Sequence, residues 1–412
     1  MLCVTTATST YTEVFASGQF RVLFTSRTIA IAATTLRMVA LSLLVFSMTG
    51  SPLLSAIAFG IGFLPQAAGG MLFGSLADRI KPRPLITMGY AIEGAAAVVL
   101  AIAPLPVWAS LALVGAVAAA TPIFNGASSR LVADVLHGDA YVLGRSTFNM
   151  AAGGAQLLGL AAGGIAVAAL GPQRALLVTA VCHFAAAGIA RAGLSDHDVA
   201  GDTGERSAMR QSWHTNALLL RDTWVRRLLL IQWLPNAFAV GAEALIVAYA
   251  AMRGFPVSAT GFLLACSPAG MLIGYFVIGR FVKPDMRTTL VGPLICVLGL
   301  PLAVVALDPP LAIAGLLFAI SGAGMAYPLG LQTAFLEAVP EVNRGQAFGL
   351  LSTGLMTLQG IGPVVFGGLA QVTHLRWAIA VSGVATVTSA LLVAGQSGKP
   401  TLHATHADTP RT

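Results

Sequence analysis

Residues 74–83 read Gly-Ser-Leu-Ala-Asp-Arg-Ile-Lys-Pro-Arg, a short polar turn between two long apolar segments. Part of this turn recurs 200 positions later. Met71-Leu72-Phe73-Gly74 returns as Met271-Leu272-Ile273-Gly274, and basic residues follow again within 280–287. A basic turn that repeats once between apolar segments indicates a duplicated membrane protein.

The composition supports this interpretation. The chain is 56% hydrophobic and 9% charged, with a mean hydropathy of +0.82, whereas an ordinary soluble domain carries about 25% charged residues. In lipid, only helices or closed barrels satisfy their own backbone groups. The apolar runs are about 20 residues or longer, which suits spanning helices and not the roughly 10-residue alternating strands of barrels. We therefore expect an all-α integral membrane protein.

Apolar runs between turn signals predict twelve transmembrane helices in two six-helix bundles. We assign residues 1–194 to the N-terminal bundle, 195–225 to a cytoplasmic central loop and 226–412 to the C-terminal bundle. The predicted helices cover residues 21–47, 52–76, 84–103, 106–129, 143–169, 173–193, 226–251, 257–282, 288–307, 309–335, 345–371 and 375–396.

The positive charges predict the orientation. Alternate turns are rich in Lys and Arg, whereas the opposite turns carry only Arg174, Arg253 and Arg376. Because Lys and Arg favour the cytoplasmic side, both termini should be cytoplasmic. The net charge of +7 is then a signal for membrane topology, and we expect the lipid bilayer as a partner and no nucleic acid.

No catalytic or cofactor motif accompanies the helices. The sequence lacks Gly-x-x-x-x-Gly-Lys-Ser/Thr, His-Glu-x-x-His and Gly-x-Ser-x-Gly, and its four cysteines have no metal-ligand spacing. We therefore expect no catalytic residues, no metal and no cofactor. The function that remains is transport driven by an ion gradient, with the proton gradient as the energy source.

Three ionisable residues lie well inside predicted helices: Arg37 in helix 1, Glu93 in helix 3 and Glu243 in helix 7. A charge at mid-helix costs about 2.5–3.5 kcal/mol on insertion scales, so such residues usually face a cavity and a partner. One hypothesis is that Glu93 or Glu243 binds a proton while Arg37 holds an anionic substrate group or tunes the carboxylate. The alternative is an Arg–Glu pair that only fixes the bundle.

Other polar residues receive structural interpretations. Arg27 and Arg145 lie near cytoplasmic helix ends, where long side chains extend to the membrane interface. His183 in helix 6 is interpreted as a packing residue.

The helix arrangement and the 74–83 turn resemble the major facilitator superfamily, whose signature turn is Gly-x-x-x-Asp-Arg-x-Gly-Arg-Arg. The positions that fall on this pattern are Gly74, Asp78, Arg79 and Arg83, whereas Pro82 and Pro84 depart from it. The resemblance implies a conformational latch, in which Asp78 faces the start of helix 11 near Gly345 and Arg130. The alternative is that these charges only orient the loop. The second copy of the turn lacks the acid, so the latch should be asymmetric.

Three short stretches are similar to the branch that holds macrolide-efflux and enterobactin-export proteins: Phe20-Arg21-Val22-Leu23, Ala40-Leu41 and Thr49-Gly50-Ser51-Pro52. This resemblance implies a monomeric, proton-coupled exporter of a small amphipathic molecule (a drug, antibiotic, siderophore or other metabolite) in the bacterial cytoplasmic (inner) membrane. The alternatives are an uptake carrier for a nutrient, a lysolipid transporter and a non-transporting membrane receptor.

A glycine pattern links helix 5 with helix 11. Drug antiporters of the family often carry Gly-Pro in helix 5, but here the pair lies in helix 11, and Leu160 follows the helix 5 glycine. The alternative interpretation of these residues is close helix packing. The positions are Gly159, Gly163 and Gly164 in helix 5, and Gly362, Pro363, Gly367 and Gly368 in helix 11.

Overall fold

The protein is helical throughout the part of the chain that the structure describes. The structure, a computed structural model, describes residues 10–73, 80–195, 215–340 and 343–394, and these ranges contain no strand. Among the described residues, eleven helices are long and apolar enough to cross a membrane, and a twelfth, shorter apolar helix covers Leu375–Leu391. The predicted fold class, an all-α membrane protein of two six-helix bundles, is confirmed.

The twelve spanning segments are numbered in chain order. Those of the N-terminal half are α1 (Gly18–Thr49), α2 (Pro52–Gly60 and Phe63–Phe73), α3 (Pro82–Ile102), α4 (Val107–Val135), α5 (Gly138–Leu170) and α6 (Pro172–Gly193). Those of the C-terminal half are α7 (Thr223–Glu243 and Ile246–Met252), α8 (Val257–Phe281), α9 (Pro284–Thr289 and Val291–Val304), α10 (Leu311–Gly324, Tyr327–Gly330 and Gln332–Ala338), α11 (Arg344–Val372) and α12 (Leu375–Ala394).

The first turns of the two halves have the same backbone form. Gly50 ends α1 with φ +63°, and Gly254 follows α7 with φ +67°. This left-handed conformation is open to glycine without steric cost. A proline lies two residues further on in both turns, where its fixed φ suits the start of α2 and α8. We call the end of the bundle that carries these turns the Gly50 end, and the opposite end the Arg83 end.

Helix packing repeats the duplication at the level of single residues. Gly69 of α2 lies against the Ala119 carbonyl of α4, and Gly270 of α8 lies against the Ala319 carbonyl of α10. A Cβ atom at either glycine would collide with that backbone. Small residues at such points let membrane helices approach closely. The two halves therefore use the same close contacts about 200 positions apart.

The halves contact each other through α2 with α11 and through α5 with α8. Gly164 of α5 lies against the backbone of Gly261 of α8, and Gly367 of α11 lies against Leu53 of α2. At the rim, Ser51 Oγ donates to Gln371 Oε1 at 3.0 Å. These contacts lie in the half of the bundle nearest the Gly50 end, where they join the two bundles.

The structure differs from the predicted boundaries around the central loop. Residues 215–221 are helical, and Asp222 caps the next helix by accepting hydrogen bonds from the Trp224 and Val225 amides at 2.8 and 2.9 Å. This N-cap starts α7 at Thr223, three residues before the predicted 226. Residues 196–214 of the loop lie outside the described residues.

Four helices predicted as continuous are interrupted: α2, α7, α9 and α10. α7 breaks directly after Glu243 and resumes at Ile246. α10 passes through a 3₁₀ turn at Tyr327–Gly330, where Pro328 has no amide hydrogen for the helical ladder. An apolar run predicts a span but does not show such breaks.

Candidate substrate and proton site

A cavity of about 380 Å³ lies within the bundle. Its wall comes from α1 to α6 together with Met356 and Gln359 of α11. The volume lies within the range of about 300–1,000 Å³ that is typical of ligand pockets. Aromatic and aliphatic side chains share the wall with nearly as many polar ones, among them Gln66, Gln156 and Gln359. This mixed composition is expected of a site for an amphipathic molecule.

Arg37 of α1 and Glu93 of α3 form a salt bridge at the cavity wall. Their side chains are 4% and 7% exposed. Thr121 of α4 donates a second hydrogen bond to the other oxygen of Glu93, with Oγ1 3.2 Å from Oε1. A buried charge without a partner is strongly destabilising. The network gives each of these buried charges a partner, and because the partners come from α1, α3 and α4 it links three helices. The structure thus brings together two of the three predicted ionisable residues.

His183 of α6 lies beside this pair and lines the same cavity. It is 1% exposed and interacts electrostatically with Glu93 and Arg37. Neither ring nitrogen has a hydrogen-bond partner among the described residues. The interpretation as a packing residue is therefore incomplete, because His183 forms part of the wall next to the ion pair.

Glu243 lies elsewhere. It is partly buried at the end of the first piece of α7, where Ser267 of α8 donates a hydrogen bond to its Oε1. It is not among the residues that line the described cavity. Arg37 pairs with Glu93 instead, so the equivalent positions of helices 1 and 7 do not bring Arg37 and Glu243 together.

Arg27 turns into the cavity, and the expectation that it extends to the membrane interface is wrong. Its Nη1 donates to Asn125 Oδ1 of α4 at 3.3 Å, and its guanidinium lies 4.7 Å from the centre of the Phe148 ring of α5. The sequence carries a signal for this placement. Arg27, Thr34 and Met38 recur at helical spacing and all line the cavity. Arg145, by contrast, is exposed and donates to the Tyr141 hydroxyl at 2.8 Å.

Three residues of the predicted latch, Gly74, Asp78 and Arg79, lie outside the described residues, so the latch stays a prediction. The other two bind backbone carbonyls. Arg83 donates through Nη2 to the Arg191 carbonyl at 2.8 Å, and Arg130 donates to the Ile80 carbonyl at 2.9 Å. The Arg191 carbonyl lies in the last turn of α6. The guanidinium of Arg83 is therefore a cation at the negative end of the helix dipole, where it is stabilising.

The copy of the turn in the second half uses the same device. Arg287 donates to the Gly279 carbonyl near the end of α8 at 2.8 Å. The repeated basic residues therefore tie helix ends together at the Arg83 end of both halves.

The glycine pattern lies at helix contacts. Gly159 lies against Ala32 of α1, and Gly362 lies against Ala237 of α7, which are equivalent positions in the two halves. Gly163 contacts Leu36, and Pro363 contacts Gly60 across the two halves, in addition to the contacts of Gly164 and Gly367 described above. Gly368 differs, because no described heavy atom lies within 4 Å of the position that its Cβ would take.

An ion triad at the Gly50 end was not predicted from the sequence. Asp308 accepts a hydrogen bond from Arg253 at 3.2 Å through Oδ1 and pairs with Arg376 through Oδ2. The three residues come from three different segments of the C-terminal half, because Arg253 and Asp308 lie in turns and Arg376 lies in the first turn of α12. Two of the three arginines in the turns predicted to face outward thus share one carboxylate.

A family model described as Major Facilitator Superfamily matches residues 23–336. The chain belongs to the major facilitator superfamily. It is therefore a multi-pass membrane protein of a transporter family, which indicates a transporter and not an enzyme.

Solved structures share this fold. A bacterial homologue of the human lysosomal transporter Spinster superposes with a TM-score of 0.67 at 16% identity, covering 93% of this chain and 96% of that chain. The POT family transporter PepTSo gives 0.69 at 12% identity, with 91% and 97% covered. A peptide transporter POT in complex with sulfate gives 0.66 at 16% identity, with 92% and 94% covered. No curated protein matches the sequence significantly, and identities this low show the fold alone.

Proposed function

We propose that this superfamily member is a proton-coupled secondary transporter that exports a small amphipathic molecule by alternating access. The observation that carries the proposal is the buried Arg37–Glu93 pair in the wall of the cavity. A carboxylate that can exchange a guanidinium partner for a proton links the charge of the cavity to protonation. Export is proposed from the resemblance of residues 20–23 and 49–52 to the efflux branch.

The proton gradient supplies enough free energy for this role. A proton moving down 100 mV yields about 2.3 kcal/mol, and each pH unit adds about 1.4 kcal/mol. One proton per cycle therefore supports a substrate gradient of a few hundred-fold.

The contacts between the halves support a cavity that is closed toward the outside. They lie nearest the Gly50 end, which the distribution of Lys and Arg predicts to be extracellular. The bacterial Spinster homologue with the same fold was solved in an inward-facing, unoccupied conformation. We propose that this chain, a monomer in the bacterial cytoplasmic (inner) membrane with both termini in the cytoplasm, has its cavity directed inward in the same way.

A compound panel in cells and proteoliposomes tests the proposal. Cells that express the wild type should accumulate less of at least one amphipathic compound than cells without it, and a protonophore should abolish the difference. In proteoliposomes, a pH gradient should drive that compound against the proton flow. Glu93→Gln should lose this movement, and Glu243→Gln tests the other predicted proton site. If both variants keep the wild-type response to the gradient, proton coupling through these carboxyl groups is excluded.

Uptake by proton symport is a second candidate, and one observation favours it. The charged residues of the described cavity wall are Arg27, Arg37 and Glu93, so the wall has one positive charge in excess with His183 neutral. A proton on Glu93 would add to that excess, and an anion in the cavity would offset it. Proton and anion would then favour each other's binding, as a symporter requires. Movement of substrate in the direction of the imposed proton flow would identify this mode.

A further inference from the structure

We infer that the substrate is a small organic anion with an apolar body, and that Arg27 binds its negatively charged group. The inference rests on the proposed function, because it takes the cavity as the substrate site, and of the two modes proposed there an anionic substrate fits proton symport. It names the chemical class of the substrate and assigns the contact to Arg27 in place of Arg37.

Arg37 is already occupied. Its guanidinium is paired with Glu93, and both side chains are almost fully buried. A substrate that bound Arg37 would have to displace this carboxylate and leave it buried without its partner. Such a displacement is costly, so Arg37 is the less favourable contact for an incoming anion.

Arg27 has neutral partners. They include the amide oxygen of Asn125 and the face of Phe148, and Tyr90 also interacts with Arg27 electrostatically. No carboxylate lies within salt-bridge distance of it among the described residues. Its Nε is buried and has no hydrogen-bond partner in the described part of the chain. Because a guanidinium offers five N–H donors in a fixed fork, donors remain for a carboxylate or sulfonate, and Arg27 is held in place by contacts with α4 and α5.

The charge balance of the wall points to an anion of one charge. Two arginines and one glutamate leave a single positive charge. A monoanion would neutralise it, whereas a cation would raise the net positive charge of a wall whose Arg37 and Glu93 side chains are almost fully buried. The attraction between opposite charges is stronger in such surroundings than in water, since the effective dielectric constant is low.

The aromatic and aliphatic part of the wall fits an apolar body. Arg27 and Arg37 are ten positions apart on α1, about 15 Å along its axis at 1.5 Å per residue. Phe59, Phe124 and Met356 also line the cavity. The substrate we infer therefore has its charged group at Arg27 and an apolar body directed into the remaining cavity.

Equilibrium dialysis against matched probes tests the assignment. The probes are benzene, naphthalene and anthracene skeletons, each as the carboxylate, the carboxamide and the methylammonium derivative. Purified protein in a neutral detergent is compared with empty micelles. The variants are Arg27→Gln, which removes the charge, Arg27→Lys, which keeps it, and Arg145→Gln, a control that removes an exposed charge outside the cavity. Size-exclusion chromatography and circular dichroism verify folding.

The expected result is a carboxylate that binds the wild type at least about tenfold more tightly than the amide or ammonium of the same skeleton, as for a charge-assisted hydrogen bond. Arg27→Gln should abolish this preference, Arg27→Lys should retain part of it, and Arg145→Gln should leave it unchanged. Absence of a preference for any carboxylate in the wild type would overturn the inference, whether or not the variants fold. A preference that survives in folded Arg27→Gln would do the same.

Failure of the proposed function is distinguishable from failure of this inference, because the dialysis involves no gradient. Anion binding that depends on Arg27, combined with transport that ignores an imposed pH gradient, would leave the inference standing and remove proton coupling. Transport of neutral or cationic compounds that responds to the pH gradient would remove the inference and leave proton coupling in place.

Discussion

Breaking the Arg37–Glu93 pair should destabilise the protein, and removing both charges should largely restore its stability. Glu93→Gln leaves the guanidinium of Arg37 buried without a countercharge. Removal of one partner from a buried pair costs about 3–5 kcal/mol, whereas its replacement by apolar residues of similar size is often neutral. The 4% and 7% exposures of the two side chains place this pair in the buried class.

The magnitude converts into a measurable melting shift. At roughly 2.1 cal/mol/K per residue, the unfolding entropy of a 412-residue chain is about 0.9 kcal/mol/K. A loss of 3–5 kcal/mol then lowers the melting temperature by about 3–6 °C. The free thiols of Cys182, Cys266 and Cys296 allow the measurement, because a maleimide dye that becomes fluorescent on reaction reports their exposure during heating.

The double variant Arg37→Met with Glu93→Leu separates the two interpretations of the pair. If the pair only fixes the bundle, the double variant should be stable and should transport. If Glu93 carries the proton, the double variant should be stable and should not respond to a pH gradient. The reasoning would be refuted by equal melting temperatures of the wild type and Glu93→Gln, or by a double variant as unstable as the single one.

Three further predictions concern other parts of the chain. Asp78→Asn should insert at wild-type levels but transport poorly, because the latch loses its carboxylate; wild-type transport by a well-expressed variant would exclude the latch. Gly164→Val should collide with the backbone of Gly261 and disfavour the described conformation by about 1–3 kcal/mol. A cysteine introduced at the Gly50 end should then react faster with a maleimide reagent, which reports this shift. Gly188→Val, where the added Cβ meets open space, should leave the rate of labelling unchanged. Asp308→Asn should lower the melting temperature by about 1 °C, since the triad is partly exposed, and the difference should vanish in 1 M salt; a loss independent of salt would contradict this account.

The fold could be predicted because lipid permits few alternatives. A run of about 20 apolar residues has to form a spanning helix, and the repeated basic turn at 74–83 and 280–287 indicates two equivalent halves. The breaks in α2, α7, α9 and α10 escaped prediction, since hydropathy reports how long a segment is and not whether its hydrogen-bond ladder is continuous. The start of α7 was also not predicted correctly, because its N-cap does not follow a stretch that reads as a loop. Its N-cap, Asp222, lies next to a helix and not in an extended loop.

The candidate site could be predicted in part. The cost of burial singled out Arg37 and Glu93 as residues that need partners, but sequence reasoning left open which acid Arg37 meets. The sequence indicates the depth of a side chain in the membrane, but the direction in which the side chain points also depends on the rotation of its helix about its own axis. Arg27 illustrates the effect of this rotation. Its position near a helix end favoured the interface, whereas its spacing with Thr34 and Met38 places it on the cavity face.

The ion triad at Asp308 has a consequence for biosynthesis. Arg253 precedes Asp308 by 55 residues, and Arg376 follows it by 68. At about 5–20 residues per second, seconds of chain elongation separate the three. The triad can close only after the segment that begins α12 has been made. Arg376 gives α12 a polar attachment to turns that were completed earlier. α12 therefore joins the bundle through a charge pair as well as through its hydrophobicity, and the closed triad shows that the start of α12 has reached its place.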